Sequence, residues 1–277
     1  MNVSPDGQRY IAMADRHPVP YPFQGRVLVP WICGRSERRW SVAGWISTAV
    51  VLCVAGAWAA ASTGSVLRGL AAVAILAPLR GAFGLQLRQY PVLVDLPAMA
   101  LAATGAALLE FHGAHDVAVV AVIVVACVAA TAKESAPVFM ALFAWSPIPL
   151  VGLVAHGAVR LLRRGGPEVA GVGPEAAAAV THPIISSRNA HAGRWFDGGL
   201  WLLPWGPCLV AFAAVDLRLG AVLAVAYTQT LVATDTERLY QWAALPMAVA
   251  AVTVAPEAAL VPMMLAAAWW PWKGQGI

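Results

Sequence analysis

The sequence predicts an all-α protein: a polytopic helical membrane bundle with about eight to nine membrane segments. Three observations lead there. Hydrophobic residues make up 60% of the chain and charged residues 12%, with a mean hydropathy of +0.70. That is more apolar surface than a soluble core of this size can bury. The apolar runs approach the ~20 residues that cross ~30 Å of hydrocarbon, and short clusters of Arg, Asp, Glu, Pro and Gly separate them. Runs such as Val117–Ala130 are apolar on every side, whereas a transmembrane β-strand alternates over ~10 residues.

In chain order, residues 1–40 read as an extracytoplasmic or interfacial segment, 41–162 as a first transmembrane bundle, 163–197 as a loop, and 198–277 as a second bundle. The first segment lacks an apolar h-region, so no cleavable signal peptide is expected and targeting falls to the internal helices. The expected spans are 41–62, 66–85, 92–110, 117–132, 136–161, 198–215, 219–233, 239–255 and 257–272. Pro78, Arg80 and Gly81 interrupt the second, which suits a short or re-entrant helix. Pro147 and Pro149 kink or split the fifth, and Pro256-Glu257 makes a tight turn between the last two. The loop carries a basic end at Arg160, Arg163 and Arg164 and a short interfacial helix expected over Pro174–Ser186. Placing that basic end in the cytoplasm and counting five crossings back puts Met1–Trp40 outside, although Arg35, Arg38 and Arg39 beside the first span are a contrary local signal. The twelve tryptophans mostly sit near span ends, where headgroup-level belts are expected.

A net charge of +4 and a pI near 9.1 reflect cytoplasmic arginines and lipid headgroups in a bundle, so no nucleic-acid partner is expected. The four cysteines show no CxxC spacing. No HExxH, P-loop, GxSxG or dinucleotide fingerprint occurs, which argues against hydrolase or nucleotide chemistry of the soluble type. Glu110, His112, His115 and Asp116 offer metal ligands, but Gly113 breaks the helix needed to present them together, so no metal site is assigned. His182 and His191 read as interfacial.

The chemically dense stretch is Asp6 to Trp31. Pro5 can open a helix over 6–14, and Asp6 and Tyr10, four apart, then share one face. Pro18, Pro20 and Pro22 stiffen the chain beyond it, and Phe23, Val27, Leu28 and Val29 give an apolar footing that holds Arg26 at the lipid boundary. An acid beside a guanidinium at that depth suits a reaction in which a hydroxyl loses its proton while a phosphate leaves; the competing reading is an interfacial anchor with its charges among headgroups. Lys133-Glu134, in TAKESAP, is costly between apolar runs unless each charge faces water or a partner, and adjacent helical residues point ~100° apart. Asp95 lies just inside an apolar run, with Arg80 or Arg88 as candidate partners or a helix start before Pro97 as its role. Asp235 and Arg238 can pair at i,i+3 in a polar break that also reads as a capped helix start.

The order D-x-x-x-Y, then P-F-x-x-R-V-L-V-P, then many spans with a later K/R-E pair resembles the bacterial GT-C membrane glycosyltransferases, which take sugars from polyprenyl-phosphate donors. The matching pieces are Asp6 and Tyr10, Pro22 to Pro30, Lys133-Glu134, and Asp235 to Arg238. The resemblance implies a GT-C-like fold and a hexosyl- or pentosyltransferase acting on a lipid, glycan or protein acceptor of the cell envelope, multi-pass in a bacterial cytoplasmic membrane. It implies Asp6 as base or metal-binding group and Arg26, with Lys133, at the departing phosphate. Tyr10, Glu134, Asp95, Asp235 and Arg238 are the further substrate-binding candidates. A divalent cation is the one cofactor the resemblance suggests. Family members carry a helix before the acidic residue, whereas only Met1–Pro5 precede Asp6 here; the resemblance then implies a start further upstream, a form that lacks the first helix, or an inactive relative. The alternatives are a non-catalytic membrane scaffold that partners a larger membrane protein and, ranked last, a small transporter or flippase.

Overall fold

The computed structural model describes residues 3–17, 19, 23–79, 83, 87, 91–113, 115–162, 181–191, 193–194, 197–231 and 236–270. The protein is all-α, with no strand among the described residues. The chain forms two compact units, residues 1–51 with 86–173 and residues 52–85 with 174–277.

The first unit begins with α1 (Pro5–Ala14). Ser4 caps it, its Oγ accepting from the Gly7 amide at 3.0 Å, and Pro5 occupies the first turn, where a missing N–H costs nothing. The helix ends in a Schellman turn: the amides of Arg16 and His17 donate to Met13 and Ala12. Arg16 occupies the left-handed position of that turn, φ 64°. Then come α2 (Leu28–Cys33), closed by Gly34, and α3 (Glu37–Thr63), whose residues 37–51 belong to this unit. The rest of the unit is α5 (Asp95–His112), α6 (Asp116–Ala132), α7 (Ala136–Ala144) and α8 (Gly152–Leu162). The expected span 136–161 is thus split. Trp145 takes a left-handed conformation after α7, and a 3-10 turn over Ile148–Val151 leads into α8, as two prolines in three residues require.

Within this unit α5 packs on α6 and α7, and α6 on α8. Helix α6 buries Ala118, Val122, Ala126 and Ala129 while exposing Val117, Val120, Val124 and Val128. Small residues face the bundle and larger apolar ones face away. A water-soluble helix sorts its residues the other way, whereas helices packed in lipid put small residues at their contacts.

The second unit contains residues 52–63 of α3, then α4 (Val66–Leu76), α9 (Pro183–Ala190), α10 (Gly198–Trp201), a long 3-10 segment Leu203–Ala214, α11 (Leu217–Thr228), α12 (Thr236–Val254) and α13 (Glu257–Trp269). Helix α4 crosses α3 closely: a Cβ at Gly69 would lie 2.7 Å from the Gly56 carbonyl oxygen, so only glycine fits. The Arg68 guanidinium donates to Thr253 O at 3.1 Å, to Ala255 O at 3.0 Å and to Val252 O, satisfying carbonyls that the end of α12 leaves open. Trp205 Nε1 donates to the Tyr227 hydroxyl at 2.5 Å, and the Tyr227 and Tyr240 rings stand 4.9 Å apart edge to face.

Helix α3, with 27 residues, is long and apolar enough to cross a membrane; the seven further apolar helices among the described residues run 10–17 residues. Trp31, Trp45, Trp145 and Trp269 are exposed, whereas Trp40, Trp205 and Trp242 are buried as packing residues. The tryptophans therefore divide between a surface population and a core one. Of the expected helix 174–186, residues 174–180 lie outside the described residues, as do Pro18, Pro20 and Pro22.

Candidate active site

The candidate site lies in the first unit, where the N-terminal segment folds against the junction between α6 and α7. Helix α6 ends at Ala132, and Lys133 is extended, φ −157° and ψ 134°. That break turns Lys133 and Glu134 away from each other and gives each its own partner.

Glu134 takes Arg26. Arg26 Nε donates to Oε2 at 2.7 Å and Nη2 to Oε1, a two-pronged pair. The remaining prong, Nη1, donates to the Tyr10 hydroxyl at 3.0 Å. Arg26 is 7% exposed and Tyr10 fully buried. Phe23 completes the pocket, with the Arg26 guanidinium 5.1 Å from its ring centre on one contact and Arg9 at 4.8 Å on another. Tyr10 stands edge-on to Phe23 at 5.4 Å and beside Trp40 at 6.2 Å. Burial works against the charge on both partners, but each holds the other ionised: the Glu134 carboxyl is brought down to about 2, and Arg26 is kept well above its usual range by Glu134 and Tyr10.

Lys133 takes Asp95, Nζ meeting Oδ1. Asp95 opens α5 with no solvent exposure. One partner is the lysine from the far end of α6; Arg80 and Arg88, the candidates expected from the sequence, lie outside the described residues. Sequence spacing cannot reveal this pair because 38 residues separate its members.

Asp6 stands at the edge of this assembly. Its Oδ1 accepts from Arg9 Nη1 at 3.2 Å, and its side chain is 24% exposed. Asp6 and Tyr10 share a face of α1, as their spacing predicts, but they divide the work: the carboxylate meets solvent and the phenol points into the core. Asp235 and the side chain of Arg238 lie outside the described residues.

His156 on α8 is a residue that sequence reasoning missed. Its Nδ1 is 3.1 Å from the Ala130 carbonyl, one turn before Lys133. Its ring rests against Gly25, where a Cβ would fall 2.7 Å from Nδ1 and 2.8 Å from Nε2. The glycine before Arg26 is the signal that could have found it, since it marks a close approach to the backbone. His191, read as interfacial, is buried in the second unit on α9's C-terminal side, while His182 is exposed. Among the described residues no group of three or more His, Cys, Asp or Glu side chains is placed to hold a metal ion.

Comparison of the chain with family models, with curated proteins and with solved structures gives no match.

Proposed function

We propose that the chain is a multi-pass membrane glycosyltransferase of GT-C type that moves a sugar from a polyprenyl-phosphate donor to an acceptor hydroxyl. The observation that carries this reading is the meeting of Tyr10, Arg26 and Glu134 in one hydrogen-bonded group, with Asp6 one helical turn away at its solvent edge. These are the residues of the resemblance, and Asp6 and Glu134 stand 128 positions apart (134 − 6). Exposed valines on α6 over a small-residue interior support membrane embedding beyond α3.

The geometry reassigns roles within this reading. Arg26 and Lys133 are buried against their own carboxylates, so they hold the N-terminal segment and the α6–α7 junction in place. Asp6 is the acid that an acceptor can reach. Arg9 is the cation that touches Asp6 and faces solvent, 45% exposed, so it stands at the departing phosphate. In the transfer the acceptor hydroxyl gives its proton to Asp6 as its oxygen bonds to the anomeric carbon. The bond from that carbon to the phosphate oxygen breaks, and the polyprenyl phosphate leaves with the electron pair beside Arg9. The test is sugar transfer in membranes: Asp6→Asn abolishes it with insertion unchanged, and undiminished transfer refutes the assignment.

A second reading, a non-catalytic subunit of a larger membrane assembly, draws on one observation. The two cations buried among the described residues, Arg26 and Lys133, are neutralised from within, as in a purely architectural core. Isolation with a larger transferase, and no transfer by the chain alone, favours it over catalysis.

A further inference from the structure

We propose that the surface where the end of α1 meets the start of α3 is a binding site for the headgroups of anionic phospholipids. The proposal rests on α3 crossing a bilayer and is independent of which reaction the polar cluster performs.

Four arginines are exposed there: Arg16, Arg35, Arg38 and Arg39. Arg35 Nε donates to Asp15 Oδ1 at 2.6 Å, which ties the turn after α1 to the approach to α3 and brings Arg16 into the same neighbourhood. Arg16, Arg38 and Arg39 form no ion pair with another described residue. The nearby acids are Asp15, spent on Arg35, and Glu37, so the patch keeps a net charge of +2 from four arginines and two acids. His17 is also exposed.

The apolar half of the site follows at once. Arg38 and Arg39 begin a stripe on α3 that continues through Val42, Trp45 and Ile46, exposed by 48%, 61% and 59%. Trp31 and Ile32 of α2, 60% and 62% exposed, lie just before it in the chain. At 1.5 Å per residue, Trp45 is about 10 Å deeper than Arg38 along the helix. Guanidinium groups above, tryptophans below and aliphatic side chains beneath match a lipid's phosphate, interfacial zone and acyl chain.

A second observation comes from the backbone. Arg16 holds φ 64°, the left-handed position at which a Schellman turn favours glycine. Glycine would relieve the strain, yet the chain keeps an exposed arginine beside Arg35. Strain retained at a surface position fits a side chain kept for what it binds.

Each arginine near an anionic surface contributes about fivefold in affinity at modest ionic strength, less as salt screens it. The test is native mass spectrometry of the full chain released from detergent, titrated with phosphatidylglycerol and with phosphatidylcholine. Phosphatidylglycerol is expected to bind preferentially, and R16Q/R38Q/R39Q to lose most of that preference while R16K/R38K/R39K retains it. R16G separates binding from folding: it is expected to lower the preference about fivefold while unfolding at the same or a higher temperature. An unchanged preference in the triple Gln variant overturns the proposal. So does a stronger, arginine-dependent preference for undecaprenyl phosphate, which would assign the patch to the sugar carrier. Asp6→Asn is expected to keep the lipid preference, so loss of the catalytic reading and loss of this one are told apart.

Discussion

Buried charge sets the two units apart: among the described residues the buried arginine, lysine and aspartate all lie in the first unit. There each buried cation of the candidate site has a carboxylate: Arg26 has Glu134 and Lys133 has Asp95. Neutral groups are held less strictly: Ser135 Oγ in the first unit, and Ser187 Oγ, Gln229 Nε2, the Tyr240 hydroxyl and Gln241 Nε2 in the second, are buried without a hydrogen-bond partner among the described residues. A charge withdrawn from water costs several kcal/mol unless it is paired, while a neutral polar group costs about 1–3 kcal/mol. Ionic pairing is therefore compulsory in the first unit, and its partners fix where α1, α5, α6 and α7 must meet. The second unit tolerates its neutral groups and takes its order from aromatic packing and the Arg68 cap.

The largest expected effect breaks a pair in the first unit. Lys133→Ala takes the lysine away from the buried Asp95 carboxylate and is expected to cost about 3–5 kcal/mol in thermal unfolding in detergent micelles. Lys133→Met combined with Asp95→Leu removes both charges and should recover most of that loss. Equal destabilisation by the single and double changes would contradict the pairing.

Acid sharpens the comparison next. The Glu134 carboxyl is lowered from its ordinary 4.5 to about 2 by Arg26, so its contribution is present above 4.5 and is lost as pH falls from there toward 2. Burial pushes the His191 imidazole below its ordinary 6.5, against a smaller opposing pull from the Thr230 backbone. Its unfolded form therefore takes up a proton first, and this part of the stability fades as pH falls below 6.5. Unfolding followed against pH should show an early loss that His191→Leu removes and a later one that Glu134→Gln removes.

A smaller effect is expected at Gly25. Gly25→Ala drives a methyl into the His156 ring and displaces Arg26, costing about 1–3 kcal/mol; Gly25→Ala with His156→Ala should restore much of the stability. The smallest is in the second unit, where Ser187→Ala is expected to be neutral or to stabilise by up to about 1 kcal/mol, because it removes a hydroxyl that bonds nothing among the described residues. A clear loss of stability would show that the hydroxyl has a partner.

Most helices were legible. Pro5, Pro97, Gly113 and the Pro147–Pro149 break sit where the sequence places starts, ends and interruptions, because prolines and glycines act through local geometry. Asp6 and Tyr10 on one face of α1 follow from i,i+4 spacing alone. The pairings were not legible. Nothing near Asp95 in the sequence points to Lys133, and the break that aims Lys133 away from Glu134 is a single extended residue that composition does not mark. Arg16 in a left-handed turn contradicts the residue preference that a sequence reading relies on.

The proposed transfer requires α1 to present Asp6 to an extracytoplasmic acceptor, so the side of the membrane on which α1 lies decides it. A cysteine at exposed Gln8, in a chain whose four natural cysteines are replaced, can be labelled with a membrane-impermeant maleimide in intact cells and in inverted vesicles. Labelling in intact cells with protection in inverted vesicles is the result predicted; labelling in inverted vesicles alone would place Asp6 in the cytoplasm and contradict the account.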